Sequence, residues 1–407
     1  MLHSLKQRGW ETTFLGWERN GLSIDCAEYA NAIDSLLCVK VPAPTESWKL
    51  VLKLPAYYSQ LAKMLSKLGR QDCVILTHIF LLPLAHFLKC RIIYDSAEIY
   101  SLDMASYFRG LKKLALPFWR KVESALVKKV DGITVVDSEH GWLQRYFMKA
   151  HKRVEVIYNF PAIFQDPDSG QTHALEGLYR DRQVIAFVGG LMKDKGFRVA
   201  LEAAALVKAS YPDCLFLFMG PMKDDPEVVT GMVKDLAIEK NVVFRDSVGY
   251  REMLAHIRHA RAGLMLLQPL GLYLRLGPLN GRKCVSYMQA GIPVIGPSFG
   301  EVGAVVQKEQ CGVLVDTSSP VQVAEAILEF LGAPREANLM GRRGREAFLR
   351  EYNWEGEARK FTGLIEAVLH PGYAVDTPTA RIEPDCASDS TRPLASQAGG
   401  GRSSLGI

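Results

Sequence analysis

Val184-Ile185-Ala186-Phe187-Val188-Gly189-Gly190-Leu191-Met192-Lys193-Asp194-Lys195-Gly196-Phe197 reads as a buried strand, a glycine pair, a short basic turn and the start of a helix. Five apolar residues in a row, with no polar alternation, suit a strand covered on both faces, and such strands belong to parallel sheets flanked by helices. Glycines at the strand end let the backbone approach a ligand, while a helix N-terminus beside Lys195 favours an anion. A diphosphate fits. So does an ordinary strand–turn–helix with glycine at its bend, because short glycine motifs are weak signals alone.

The same alternation continues outward on both sides. Downstream, strands are expected at Cys214–Met219, Val242–Arg245, Gly263–Leu267, Pro293–Ile295 and Gly312–Val315. Helices are expected at Phe197–Ser210, Pro226–Ile238, Arg251–Ala260, Lys283–Gln289, Val321–Phe330 and about Ala337–Tyr352. Upstream, Glu11–Leu15, Ser35–Val41, Cys73–Thr77, Arg91–Tyr94, Gly132–Val136 and Val154–Tyr158 form a second strand series, with helical patterns at Tyr57–Leu68 and Leu116–Val130. Two successive series of this kind define an α/β protein with two Rossmann-like, doubly wound domains facing a cleft. The expected divisions are 1–165, 174–345, helices at 346–370 returning toward the first domain, and a disordered tail at 372–407 rich in Ser, Thr, Pro and Gly. Leu2–Arg8 already reads as a helix capped by Gly9, so the leading strand of the first domain is expected to be absent.

Composition agrees. At 407 residues the chain exceeds what one core usually supports, and 48% apolar with 23% charged residues leaves material for two. A net charge of +5 is too small and too dispersed for a nucleic-acid binder. No apolar run is long enough to span a membrane, and the first residues lack a signal-peptide core. The eight cysteines are scattered without a CxxC pair, so neither a zinc knuckle nor a disulfide framework is suggested and a cytoplasmic location is expected.

A second segment carries chemistry: Gly277-Pro278-Leu279-Asn280-Gly281-Arg282-Lys283-Cys284-Val285-Ser286-Tyr287-Met288-Gln289-Ala290-Gly291-Ile292-Pro293-Val294-Ile295. Arg282 and Lys283 beside a helix N-terminus oppose its dipole unless an anion sits between them. Two solvated loop cations are the plain alternative. At the other strand ends, His78, Asp95 and Glu98 are candidates for acceptor binding or proton handling. A structural histidine and helix-capping carboxylates read equally from the same residues. Finally, 108–129 carries Arg109, Lys112, Lys113, Arg120, Lys121, Lys128 and Lys129 against Glu123 alone, interleaved with Leu111, Leu114, Leu116, Phe118 and Trp119. A basic amphipathic surface attracts anionic headgroups, although Pro117 interrupts it and a solvated helix packed on its domain gives the same pattern.

Taken in order, Val188-Gly189-Gly190…Lys195-Gly196, Lys283…Tyr287-Met288…Ala290-Gly291-Ile292-Pro293-Val294-Ile295, Cys311-Gly312-Val313-Leu314-Val315-Asp316 and Met340-Gly341…Arg345-Glu346…Tyr352-Asn353-Trp354 resemble the group 1 (family 4) glycosyltransferases of the GT-B architecture. Ile93-Tyr94-Asp95-Ser96-Ala97-Glu98, Val130–Ser138 and Val156–Asn159 extend the resemblance, more loosely, into the first half. It implies transfer of a sugar from a UDP- or GDP-sugar to a saccharide or lipid-linked acceptor, with retention of configuration, no metal ion and no cofactor beyond the donor. It also implies a role in polysaccharide or glycoconjugate synthesis at the inner membrane face. By the same resemblance Lys195 neutralises the leaving diphosphate, Gly189 and Gly190 admit it, and the turns at Gly220 and at Gly249-Tyr250 hold the nucleobase. Asn280, Arg282, Lys283 and Ser286 complete the donor side. The sequence departs from the family where Gly190 replaces an Arg, where Pro278 and Ser286 replace two glutamates, and where Ala97 and Ala262 replace a His and an Asp. Those departures leave open a second reading, a non-catalytic relative that binds nucleotide sugars or serves as a partner subunit.

Overall fold

In the computed structural model the described residues are 1–19, 33–44, 48–96, 100, 112–136, 141–164, 179, 182–270 and 282–371. The C-terminal half is built on strands β7 (Val184–Val188), β8 (Leu215–Met219), β9 (Val242–Arg245), β10 (Ala260–Leu264), β11 (Val294–Pro297) and β12 (Gly312–Val315). They form one parallel sheet in the order β12-β11-β10-β7-β8-β9. Counted within the half, that is the doubly wound order 3-2-1-4-5-6, whose direction reverses between β7 and β10. Every side chain of β7 and β8 is buried, as their unbroken apolar sequences require. One face packs through Phe197, Ala200, Leu201, Ala204 and Val207, the other through Val285, Tyr287, Met288 and Val302.

The covering helices are α5 (Phe197–Ser210), α6 (Pro226–Asp235), α7 (Tyr250–Ile257), α8 (Lys283–Ala290), α9 (Gly300–Glu309), α10 (Pro320–Gly332) and α11 (Pro334–Arg350). Sequence periodicity locates all but α9. Its first turn, Gly300-Glu301-Val302-Gly303, holds two glycines and a β-branched valine, which are poor helix formers. Burial of Val302, Val305 and Val306 holds it instead. Strand β10 begins at Ala260 rather than Gly263, because pairing with Val184 starts there.

In the N-terminal half, β1 (Thr13–Glu18) pairs with β2 (Ser35–Lys40), and β3 (Cys73–Leu76), β4 (Arg91–Ser96), β5 (Gly132–Val135) and β6 (Val154–Val156) form a second parallel sheet. Among the described residues β1 pairs only with β2, and β3 only with β4. Helix α1 (Leu2–Gln7) precedes β1, with Gly9 beyond it in the left-handed region at φ +76°. Helices α2 (Leu54–Leu65), α3 (Lys112–Leu126) and α4 (Trp142–Met148) complete the half, with a 3-10 segment at Ile79–His86.

The chain crosses between halves twice. It leaves the first sheet through Ile157–Phe164, and after α11 it returns in α12 (Trp354–Leu369). Phe361, Leu364, Ile365 and Val368 of α12 pack on Ile93 and Ile157 of the first half. The linker expected at 165–173 and the tail expected at 372–407 lie outside the described residues, as does Glu98.

Candidate functional site

In an open α/β sheet the crevice lies beyond the carboxyl ends of the strands where the winding reverses, here β7 and β10. Gly189 ends β7 at φ +90° and donates its N–H to Met219 O (2.8 Å). Two features favour glycine there. The positive φ disfavours an L-residue, and a Cβ there would lie 2.8 Å from Cε of Lys283. Beyond it the chain continues through Gly190 and Leu191, which bridges Met222, into a 3-10 turn at Lys193–Lys195 and then α5.

Lys283 is the first residue of α8 and is half-buried. Its Nζ stands 4.1 Å from the ring centroid of Phe187, an arrangement that favours a cation over the aromatic face. Burial, and then the charge of Lys195, push its pKa down from the usual 10.5 to about 7. Lys195 is also lowered, again by burial first, with Asp194 opposing. Among the described residues neither lysine has an ion pair. Two ammonium groups that repel one another thus stand near the glycine loop.

Helix α8 is seated by Tyr287. The ring fills the space over Gly263, where a Cβ would come within 2.3 Å of it. The hydroxyl accepts the Val188 N–H (3.1 Å) and donates to Leu264 O (3.1 Å), so one side chain joins both strands of the crevice to the helix. Ser286 is buried. Its hydroxyl donates to Arg282 O (2.8 Å) and lies 3.1 Å from the Tyr250 hydroxyl, which donates to Gln289 Oε1 (2.8 Å). Gly249 caps the start of α7 just before Tyr250, and Gly220 follows β8, donating to Arg245 O (2.9 Å).

Most of the expected donor residues therefore converge: Gly189, Gly190, Lys195, Gly220 and Lys283 around the ends of β7 and β8, and Tyr250 with Ser286 one helix turn away. Arg282 turns elsewhere. Its guanidinium donates to the backbone and side-chain oxygens of Asn159 in the crossover. Asn280 lies outside the described residues. Sequence reading missed Phe187, which reads as core, and Asn159, 123 residues from its partner in the chain.

In the first half, His78 caps the 3-10 segment, its Nδ1 accepting the Phe80 N–H (3.2 Å), and its ring lies against Phe80 and Tyr100. Burial, and then Arg19, push its pKa from 6.5 to about 4, so the ring is neutral at pH 7. Asp95 at the end of β4 accepts the Thr134 hydroxyl (2.7 Å), and burial raises its pKa. On α3, Glu123 is 1% exposed and takes hydroxyl bonds from Tyr94 and Tyr146, both 3.1 Å. Lys121, Lys128 and Lys129 are exposed, and so is Phe118, at 60%. No described helix is long and apolar enough to cross a membrane.

Residues 182–333 match the family described as glycosyl transferases group 1. The D-inositol 3-phosphate glycosyltransferase of Segniliparus rotundus is 26% identical over 258 residues, covering 61% of this chain and 55% of that protein. A GDP-mannose-dependent alpha-(1-6)-phosphatidylinositol monomannoside mannosyltransferase of Mycolicibacterium smegmatis is 25% identical over 205 residues, 49% and 52% of the two chains. The matched stretch thus spans about half the length of these curated relatives. Among solved structures, sucrose-phosphate synthase from Thermosynechococcus elongatus superposes with a TM-score of 0.68 at 20% identity, covering 90% of this chain and 91% of that one. Anabaena Alr3699/HepE in complex with UDP gives 0.62 at 12% identity, with 88% and 100% covered. The fold is the GT-B fold of glycosyltransferases. The glycine loop, Lys195 and Lys283 all lie within the stretch that matches this family.

Proposed function

We propose that this protein transfers a sugar from a nucleotide-diphosphate sugar to a saccharide or lipid-linked acceptor, with retention of configuration and without a metal ion. The observation that carries the reading is the pair of lysines, Lys195 and Lys283, without an ion pair among the described residues and near Gly189 on the switch point of the sheet. In glycosyl transfer, negative charge grows on the departing diphosphate, and fixed cations in a partly dry site stabilise that charge most. A Lys283 poised near neutrality takes up a proton as the phosphates arrive, so its charge appears where it is needed. UDP or GDP is the nucleotide, in keeping with the UDP complex of one structural neighbour and the GDP-mannose dependence of one relative. His78, with Nδ1 occupied and Nε2 remaining for a substrate hydroxyl, and Asp95 lie on the acceptor side. Lys121, Lys128 and Lys129 with Phe118 are the surface that meets anionic lipid, as polysaccharide or glycoconjugate synthesis at a membrane face requires.

Calorimetric titration with UDP and GDP, then with their sugar conjugates, tests the reading. One nucleotide is expected to bind with net proton uptake, seen as a heat that changes with the buffer's ionisation enthalpy. Lys195→Ala should weaken that binding by about 1.5–3 kcal/mol, the range for a charge-assisted bond. Failure of every UDP and GDP ligand to bind refutes the reading.

A further inference from the structure

The crossover Ile157–Phe164 lies along α8 and holds it at both ends. At the N-terminal end, the Arg282 guanidinium donates to Asn159 O (3.2 Å) and to Asn159 Oδ1. At the C-terminal end, Gln289 Nε2 donates to Ala162 O (3.0 Å). The spacing matches, since seven helical residues rise about 10.5 Å and three extended residues reach about 10 Å. The crossover is in turn fastened to the helices beyond it. The Tyr158 N–H donates to Glu357 (2.8 Å) and the Ile163 N–H to Glu355 (3.0 Å). Trp354 N–H donates to Pro161 O (3.0 Å), and the Tyr158 hydroxyl to Glu301. Glu355, Glu357 and Trp354 belong to α12, which packs on the first sheet. A continuous set of bonds therefore runs from the first half, through α12 and the crossover, to the residue that precedes Lys283.

Arg282 reaches this position at a cost in backbone strain. It is the N-cap of α8 at φ +61°, ψ −26°, whereas an N-cap residue ordinarily takes an extended conformation. Its carbonyl is held by Ser286, whose N–H and hydroxyl both donate to it at 2.8 Å. With the carbonyl pinned behind and the guanidinium pinned on Asn159, the residue has little freedom to reach a ligand without releasing the crossover.

We propose that Arg282 is a positioning residue, not a donor ligand: by bonding Asn159 it fixes the end of α8 that carries Lys283 and makes the placement of that ammonium depend on the crossover between the halves. This rests on the reading of Lys283 as a phosphate ligand. In the test, Arg282→Ala, Asn159→Ala and the double variant are titrated with UDP, GDP and inorganic pyrophosphate. In the ligand-free proteins, the pH profile of Lys283 acylation is followed by competitive labelling and mass spectrometry. Each single variant is expected to bind about three- to tenfold more weakly, the double variant no more weakly than either, and Asn159→Asp, which keeps the acceptor oxygen, as well as wild type. Both alanine variants should also move the Lys283 labelling profile upward toward the ordinary lysine range as the ammonium gains water. Normal or tighter binding by Asn159→Ala beside a loss in Arg282→Ala makes Arg282 a direct ligand and overturns the proposal. An unchanged labelling profile in both variants overturns it equally. If the wild type binds none of the three ligands, the glycosyltransferase reading fails, and the labelling profile alone decides whether Arg282 positions Lys283.

Discussion

Replacing Lys283 by Met isolates what a half-buried ammonium at this position costs the fold. The ammonium ordinarily ionises at 10.5, and burial with Lys195 nearby pushes it down to about 7. Each pH unit corresponds to about 1.4 kcal/mol, so the interval sets a ceiling of about 5 kcal/mol on the penalty at neutral pH. Two features reduce it. The side chain is half-buried, not sealed from water, and the face of Phe187 returns about 0.5–2 kcal/mol. Met keeps most of the apolar stem. The ligand-free variant should therefore gain about 1–3 kcal/mol at pH 7, read from the midpoint and slope of urea unfolding. The pH dependence gives the sign. Unfolded chains hold this proton up to 10.5, whereas the folded protein releases it from about 7, so between those values the unfolded state binds more protons and wild-type stability climbs relative to the variant. Below about 7 both states are charged and the full penalty stands. The gap between the two proteins should be widest at and below neutrality and close toward 10.5. The same substitution should weaken nucleotide binding by about 1.5–3 kcal/mol. A Met variant less stable than wild type at pH 7, or a stability difference that stays flat with pH, refutes the reasoning.

Three further outcomes follow from the packing around this site and from His78. Gly263→Ala puts a Cβ within 2.3 Å of the Tyr287 ring and should cost about 2 kcal/mol or more in urea unfolding; an unmoved midpoint would show that α8 shifts freely. Tyr287→Phe leaves the Val188 N–H without its acceptor and should cost about 1–3 kcal/mol, a loss that a neutral result would deny. For His78, folded protein protonates near 4 and unfolded chains near 6.5, so its contribution to stability is intact above 6.5 and is lost as pH falls toward 4. Its ring proton resonances should stay flat across the neutral range, and a titration midpoint near 6.5 contradicts the buried, capping geometry.

The elements that carry the sheet were legible because their sequences admit one reading. Val184–Val188 and Leu215–Met219 are apolar throughout and are buried throughout. The helices that follow them begin at Phe197 and Pro226, where the sequence places them. The glycine loop and Lys195 were legible for the same local reason. What escaped was set by distant partners. Helix α9 opens on Gly300-Glu301-Val302-Gly303 and is held by packing, which propensity does not register. The 3-10 segment Ile79–His86 contains Pro83 and is apolar on all sides, so it carries no helical period. Phe187 reads as one more core residue until Lys283 is seen over its ring. Arg282 and Lys283 were legible as a conflict with the helix dipole, but their different resolutions, one toward Asn159 and one toward the glycine loop, are decided by tertiary structure alone.

That divergence bears on whether the site is in use. Among the described residues three non-glycine residues take positive φ: Ala237, Arg282 and Gln310. Ala237 and Gln310 follow the ends of α6 and α9, where a left-handed residue is the ordinary way to stop a helix. Arg282 begins a helix, where nothing local calls for that conformation. Its neighbour Lys283 carries the other local cost, an ammonium half-buried without an ion pair among the described residues. Arg282→Gly would relieve the first cost and Lys283→Met the second, while Tyr287 would still anchor the middle of α8 to Val188 and Leu264. Two adjacent and separately removable penalties therefore stand at the point where the sheet reverses its winding. Such a concentration of strain and charge has a physical purpose if a diphosphate completes the site beside Lys283, and this supports a working nucleotide site over one that has lost its ligand.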